Sequence, residues 1–584
     1  STFTVPMTDA YIAKYEKIDR IQVSAFQYAN KRCRKLRCGD VPSSDTLNHF
    51  GCHIKLWTNV IRKKLGCKVS SKYIRRIANE CGIDDPMSVS IELAREWRAQ
   101  AWRDYDNAKE DAPALRDAYI DRMYEKISEE EGMKKADVVL QKKQREDTRN
   151  AHRKIKFARN KLNSGGTMKL EISDTNKKGT IEVTDKVEME KILMDTNEKK
   201  FRLACNTPFV QGQLLEDLGP CGMTRKAESV LLGTYEPPEN CNQGAKKFIT
   251  AVKMSEAIKS APPISAAITP AQHTKFWRSQ RESTQSSPSG LHFGFMKTTA
   301  KVPRLASTIS KLVSIPYESG YSPDRWRNSI NVTLMKEEGE YRPEKQRTIH
   351  LLESTFSEGT KIIFSRRMMQ HARKYGQLPP DQYARKGGKA IDAAIQKILI
   401  YDIMRMQRRP GICFANDIMA CYDRMAHVPS GLALRFLGAP PTAVQCMSTT
   451  IQNMRHYIRT AYGDSDNFYG GDPTRPLQGG GQGSPAAPPM WIALTIIVFN
   501  MLTSYEPGVT VVFAISATIL TFSAILYVDD NDLFTLKKDD ETVLEMLTRA
   551  QTLTSRWVEA MWATGAALRP EKCWWCLVDF TWKG

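Results

Sequence analysis

Tyr527-Val528-Asp529-Asp530 closes an uncharged, strand-like run that extends from Thr510 to Leu526. Two adjacent ionised carboxylates at the end of an apolar segment are expensive unless a cation compensates them. Aspartate offers hard oxygen ligands, which makes Mg²⁺ the expected compensator. Upstream, a second apolar run, Gly411-Ile412-Cys413-Phe414-Ala415-Asn416-Asp417, delivers another carboxylate to a strand end in the same manner. If the two strands are neighbours in one sheet, Asp417 converges on Asp529, and like charges that close need a cation between them. Successive strand residues point to opposite faces, so Asp529 is expected as the main ligand and Asp530 as a secondary one, unless a tight turn bends them together. Two Mg²⁺ ions bridged by Asp417, Asp529 and Asp530, with Mn²⁺ as a substitute, suit in-line phosphoryl transfer.

Between the two acidic strand ends lies Gln478-Gly479-Gly480-Gly481-Gln482-Gly483-Ser484-Pro485-Ala486-Ala487-Pro488. Glycines allow a backbone to approach a ligand closely, and a Ser-Pro pair caps and opens a following helix. Alone the segment reads as an ordinary surface loop. Set between Asp417 and Asp529, it suits a loop lying against a base pair and its sugar.

Taken together these segments resemble the reverse transcriptases. Asp417-Ile418-Met419-Ala420-Cys421-Tyr422-Asp423 is similar to their motif A, Gln482-Gly483-Ser484-Pro485 with Pro488 to motif B, and Tyr527-Val528-Asp529-Asp530 to motif C. Gly565-Ala566-Ala567-Leu568 with Pro570-Glu571-Lys572-Cys573 resembles motif D. Leu334-Met335-Lys336 and Arg347-Thr348-Ile349 resemble the fingers motifs, and Gln382 with Arg385-Lys386-Gly387-Gly388 the segment before motif A. The enzymes of non-LTR retrotransposons share the pattern Gly-x-x-Gln-Gly-x-Pro-x-x-Pro, here Gly479 to Pro488.

The resemblance covers about residues 290–584 and implies an α+β fold, a right-hand polymerase with fingers and an antiparallel palm sheet. It implies an RNA-directed DNA polymerase, part of a retrotransposon polyprotein, that uses an RNA template, a DNA primer and dNTPs. Asp417, Asp529 and Asp530 would be its catalytic, metal-binding carboxylates. Lys336 and Arg347 would hold the nucleotide triphosphate, Gln482 and Gly483 would line the nascent base pair, and Lys572 would protonate pyrophosphate. Tyr422 stands where these enzymes place the ring that clashes with a ribose 2′-hydroxyl; RNA polymerases commonly put an Asp there, and here the next carboxylate, Asp423, falls one position later. Deoxynucleotides are the expected substrates. The chain stops where the family continues into a thumb, so the thumb is expected to be absent, and no endonuclease, RNase H or integrase signature is visible. Nuclear residence is likewise an expectation from the resemblance.

Composition agrees with a polyanionic partner. The 584 residues carry 85 Lys plus Arg against 65 Asp plus Glu, a formal charge of +20, which favours nucleic acid. Thirteen scattered cysteines do not make a disulfide framework and indicate a reducing compartment. The start, Ser1-Thr2-Phe3-Thr4, has neither an initiator Met nor signal-peptide character, which suggests a fragment or a processed chain. Met490 to Leu502 is too short to span a bilayer, and Val509 to Leu526 is broken by Thr and Ser, so no membrane association is expected.

Three ranges are expected: a basic, mainly helical region 1–162, a mixed connector 163–289 with linkers at Ala261-Pro262-Pro263 and Ser283 to Gly290, and the catalytic body 290–584. Helices are expected over Ile91 to Lys109 and Val138 to Lys161, and a hairpin over Met168 to Val183. Cys33, Cys38, His49, Cys52 and His53 invite a zinc reading, but their spacing misses the common pattern and ordinary thiols account for them. Cys573-Trp574-Trp575-Cys576 is formally C-x-x-C in apolar surroundings that indicate packing. Two alternatives stay open beside the leading one: a degenerate element product that binds RNA without polymerising, and an RNA polymerase.

Overall fold

The computed structural model describes residues 7–32, 43–163, 167–173, 179–282, 288–385, 387–506, 508–512 and 515–581, with the backbone alone for 153–163. Within them the fold is mixed α and β. The chain forms two compact units: Cys33–Ser164, and a body made of Ser1–Arg32 with Gly165–Gly584.

The Cys33–Ser164 unit is helical, with helices at Asp45–Lys64, Ser71–Cys81, Ile91–Glu110, Ala112–Glu131 and Met133–Asn163. Ser44, Ser70 and Ser90 cap the first three, each accepting a hydrogen bond from a backbone N–H of the first turn. Leu56, Trp57, Val60 and Ile61 recur at helical spacing and bury against Ile74, Ile77 and Ala94. Cys33 and Cys38 lie outside the described residues. Cys52 faces Glu80 Oε2 at 4.0 Å, and among the described residues no three His, Cys, Asp or Glu side chains are grouped to hold a metal ion.

In the body, strands Ala524–Tyr527, Asp530–Leu536, Gly411–Asp417 and Trp574–Val578 lie side by side in that order, every neighbour antiparallel. Alternation along the Gly411–Asp417 strand sends Ile412 and Phe414 toward Met546 and Ala550 of helix Val543–Ala563. It sends Cys413 toward Ile400 and Met404 of helix Ala390–Gln407. Covered on both faces, the strand reads as a continuous apolar run, as expected for a buried strand. A second sheet has the order Arg347–Leu351, Asn328–Leu334, Arg455–Thr460, Gly463–Gly470 and is mixed, because Asn328–Leu334 pairs in parallel with Arg455–Thr460.

The strand-like run from Thr510 to Leu526 holds three short strands among its described residues. Val509–Val512 pairs only with Ile519–Phe522 as a separate hairpin, and Ala524–Tyr527 alone enters the acidic sheet. Hairpin Leu170–Ser173 with Thr180–Val183 forms where alternation placed it. Helix Ala487–Thr503, which follows the glycine-rich loop, lies in the main core with Trp491, Leu494, Ile497 and Val498 buried. No described helix is long and apolar enough to cross a membrane.

The three expected ranges do not coincide with the compact units. Helix Asp9–Arg32 belongs to the body: Arg325 Nε bonds Asp19 Oδ2 at 2.6 Å, and Tyr15 Oη donates to Leu312 O at 2.9 Å. The supposed connector places Phe209, Leu218, Phe248, Phe276 and Trp277 in one core with residues beyond 290. Charge runs and Pro-Ser-Gln stretches mark soluble surface, and they say little about where the intervening short helices bury their apolar faces. The Ser283 to Gly290 linker lies largely outside the described residues.

Candidate active site

Asp417 ends its strand directly across from Asp530, the first residue of the neighbouring one. Tyr527 pairs with Asp530, so Val528 and Asp529 form a two-residue turn. This is the tight turn that lets both carboxylates serve one place, and Ile418 N donates to Asp529 O at 3.2 Å across its edge. Val528 adopts φ 57° and Ala420, just beyond Asp417, φ 49°. A β-branched residue in the left-handed region is strained, at a cost of order 1–3 kcal/mol that surrounding contacts must offset. One such contact is Trp491, whose Nε1 donates to Val528 O at 2.7 Å.

The site is electrostatically divided. Burial and then the Asp529 and Asp417 charges push the Asp530 carboxyl above the usual carboxylate range, with Lys572 acting against them. Asp417 faces Lys572 Nζ at 3.5 Å and Arg569 Nε at 3.8 Å. Around Lys336 stand further cations from other parts of the chain. The Lys336 ammonium is pulled below its ordinary value by burial and then by Arg569, Lys200, Arg347 and Lys572. Lys336, Arg347 and Lys572 thus share one electrostatic neighbourhood, which Lys200 and Arg569 join. Arg569 lies three positions before Lys572, inside the segment singled out by sequence. Lys200 gave no signal, since nothing in the sequence sets it apart from its neighbour Lys199.

The donor chemistry fits a hard divalent cation. Three carboxylates, hard oxygen donors, stand at adjoining strand ends and the turn between them. They are not gathered into a closed set, since no three-ligand group occurs among the described residues. The remaining acid on this face, Asp532, is paired with Lys397 at 2.8 Å.

The glycine-rich loop is shaped by protein before any ligand. Gly480 N and Gly481 N donate to Tyr422 O at 2.7 and 3.2 Å, and Gly479 N donates to Met425 O at 2.8 Å. A Cβ on Gly479 would stand 2.5 Å from Asp423 O, and one on Gly481 2.6 Å from the His350 ring. These two glycines thus permit close approach to the chain itself, a different use from the ligand contact that sequence suggests. Gln482 O accepts from His350 N at 2.8 Å, leaving the Gln482 side chain half-buried and Gly483 exposed.

Behind the loop three imidazoles are buried. His427 Nε2 bonds Gly479 O at 2.8 Å, and His350 and His456 stand 5.0 Å apart, centroid to centroid. Burial holds His427 down to about 4, His456 to about 3 and His350 well below its ordinary value. All three are neutral at physiological pH.

Tyr422 lies on a single helical turn, Cys421–Arg424, half-buried against the core. Its phenol is pushed up to about 12, first by burial, then by Cys421 and Asp529. Core packing and a position beside Asp529 therefore hold together. Asp423 next to it is 1% exposed and pairs with Lys200 Nζ at 2.9 Å. Gln382, by contrast, points inward, Nε2 donating to Thr495 Oγ1 at 3.0 Å, while Tyr383 N bonds Leu526 O at 2.9 Å. That segment buttresses the acidic hairpin, and Lys386 within it lies outside the described residues. Cys573 and Cys576 are both free thiols, the latter packed against the Cys413 cluster.

No family model matches the chain, and no curated protein matches it. Among solved structures it is similar to apo telomerase from Candida tropicalis truncated from the C-terminal domain, with a TM-score of 0.30 and 13% identity over 44% of this chain and 51% of that one. The chain thus spans about half the length of that telomerase structure.

Proposed function

We propose that the chain is an RNA-directed DNA polymerase of retroelement type, extending a DNA primer on an RNA template with dNTPs. The observation that carries this reading is the register of Asp417 against Asp530, with Asp529 in the connecting turn and a ring of cations alongside. In this reading the four-stranded acidic sheet is the palm and the mixed sheet belongs to the fingers.

Asp417, Asp529 and Asp530 would hold two Mg²⁺ ions. When bound, the ions supply Lewis acidity for activating the primer hydroxyl and steadying pyrophosphate. The protein groups do the rest. Lys336 and Arg347 bind the triphosphate as cations against a polyanion, assisted by Arg569. Lys572 Nζ, beside Asp417, carries the proton given to the departing pyrophosphate oxygen. Gln482 and Gly483 line the nascent base pair. The Tyr422 ring excludes a 2′-hydroxyl by occupying its space. Retroelement chemistry on nuclear DNA makes the nucleus the proposed place of action.

The test is extension of a DNA primer annealed to RNA, with dNTPs and Mg²⁺. Asp417→Ala and Asp529→Ala should each lower the rate by at least about a hundredfold, the scale of losing one electrostatic stabiliser of a transition state. Equal extension by the variants and the wild type would overturn the site. RNA binding without metal, together with no incorporation by the wild type, would favour a non-catalytic RNA-binding protein. Preferred incorporation of NTPs would favour an RNA polymerase.

A further inference from the structure

We propose that Lys200 is a positioning residue for sugar selection, fixing Tyr422 through its ion pair with Asp423; the inference rests on the polymerase reading above. Lys200 belongs to helix Lys186–Phe201, well outside the 290–584 stretch that carries the recognisable motifs.

The turn that bears Tyr422 is four residues long, Cys421–Arg424, too short to be stable by itself. Its geometry comes from what grips it. On one side Gly480 N and Gly481 N hold the Tyr422 carbonyl. On the other, Lys200 Nζ holds Asp423 Oδ2 at 2.9 Å, and Arg424 donates from Nη2 to Leu203 O at 3.4 Å and from Nε to Gly565 O at 3.1 Å. Two of these grips come from residues 200–203. The same segment enters the glycine-rich loop, since Gln478 N donates to Phe201 O at 3.0 Å. It is therefore built into both walls around Tyr422.

The pair has a second effect. A carboxylate one residue from the ring would accept a ribose hydroxyl if it were free. The carboxyl of Asp423 is buried with Oδ2 2.9 Å from Lys200 Nζ, which withdraws it from solvent, while Oδ1 has no hydrogen-bond partner among the described residues. Rejection by a ring depends on placement, and a displacement of about 1 Å is enough to change a rate about a hundredfold. Losing Lys200 loosens the turn and leaves the buried Asp423 carboxyl without its paired ammonium.

The experiment compares kcat/KM for a dNTP and the matching rNTP on one RNA template and primer. Lys200→Met should lower the dNTP-to-rNTP ratio at least about tenfold, with a smaller fall in dNTP incorporation itself. Lys200→Arg, which keeps the charge, should keep the ratio. Lys200→Met with Asp423→Leu replaces the buried pair by apolar groups, a change such sites tolerate. Its ratio should lie between those of the wild type and the single variant. If Lys200→Met does not fold, the double variant decides alone, a ratio below wild type supporting the inference. An unchanged ratio, with dNTP and rNTP rates falling in parallel, reduces Lys200 to a structural role and overturns it. No incorporation by the wild type overturns the polymerase reading itself, and this inference with it.

Discussion

The indole of Trp491 donates a hydrogen bond to the carbonyl of Val528, so the helix that follows the glycine-rich loop is fastened to the turn that presents Asp529. Val528 has φ 57°, a conformation its branched side chain resists. Trp491→Phe keeps most of the buried ring and removes only the donor. It should cost about 1–3 kcal/mol in urea denaturation, the range for orphaning a buried acceptor. Primer extension should fall more steeply than that loss of stability explains.

Glycines of similar φ in this chain differ in what surrounds them. Gly479, at φ 87°, has Asp423 O 2.5 Å from the position of a Cβ, whereas Gly463, at φ 113°, has nothing within 4 Å. Gly463→Ala should cost about 1 kcal/mol from backbone strain alone. Gly479→Ala adds a clash with backbone that cannot rotate away and should cost about 2–4 kcal/mol in total. Thermal unfolding of the two variants checks the order, and a Gly479→Ala variant as stable as Gly463→Ala would contradict the packing described.

Stability should also decline on mild acidification. His427 and His456 are held down to about 4 and about 3, and His350 lower than ordinary, all by burial in a neutral form. The unfolded chain binds a proton at each near pH 6.5, and the folded chain does not. Their contribution is complete above about pH 6.5 and is lost as pH falls toward the folded values, with a limiting slope of about 1.4 kcal/mol per pH unit per imidazole. Urea titrations at a series of pH values between neutrality and pH 5 measure that slope. His427→Gln should flatten it.

The cations around Lys336 repel one another before any nucleotide arrives. Arg569→Ala should therefore raise the KM for dNTP about tenfold, while the melting temperature of the free protein does not fall. A lowered melting temperature with KM unchanged would make Arg569 a structural partner of Asp417 only.

Bound metal should register as stability too. Millimolar Mg²⁺ should raise the melting temperature of the wild type by linkage, and Asp417→Asn with Asp530→Asn should abolish the rise. This measurement is independent of nucleotide incorporation.

Much of the acidic site was legible because strand period and charge are local. The apolar run ending at Asp417 and the pair at Asp529-Asp530 each declare a strand end, and a short sheet then leaves few ways to arrange them. The turn at Val528 was foreseen only as a condition, since nothing in four residues reveals its partner Trp491. Lys200 and Arg325 were invisible for the same reason: each acts through a contact far along the chain, Lys200 with Asp423 and Arg325 with Asp19 and Glu353. The glycine-rich loop also serves the protein's own packing, which sequence did not reveal, because a glycine that admits a ligand and one that admits Asp423 O look alike in sequence. Within the strand-like run from Thr510 to Leu526 the reversals were not legible, because an uncharged Thr- and Ser-containing run has no mark for where a hairpin reverses.

Arg325, engaged by Asp19 and Glu353, makes helix Asp9–Arg32 part of the body although the Cys33–Ser164 unit separates them in sequence. The helical unit is consequently an insertion in sequence between two parts of one body. Trimming the first thirty or so residues would remove a buried acid from its guanidinium. Deletions that start from the N-terminus therefore strike a helix of the larger body before they reach the helical unit.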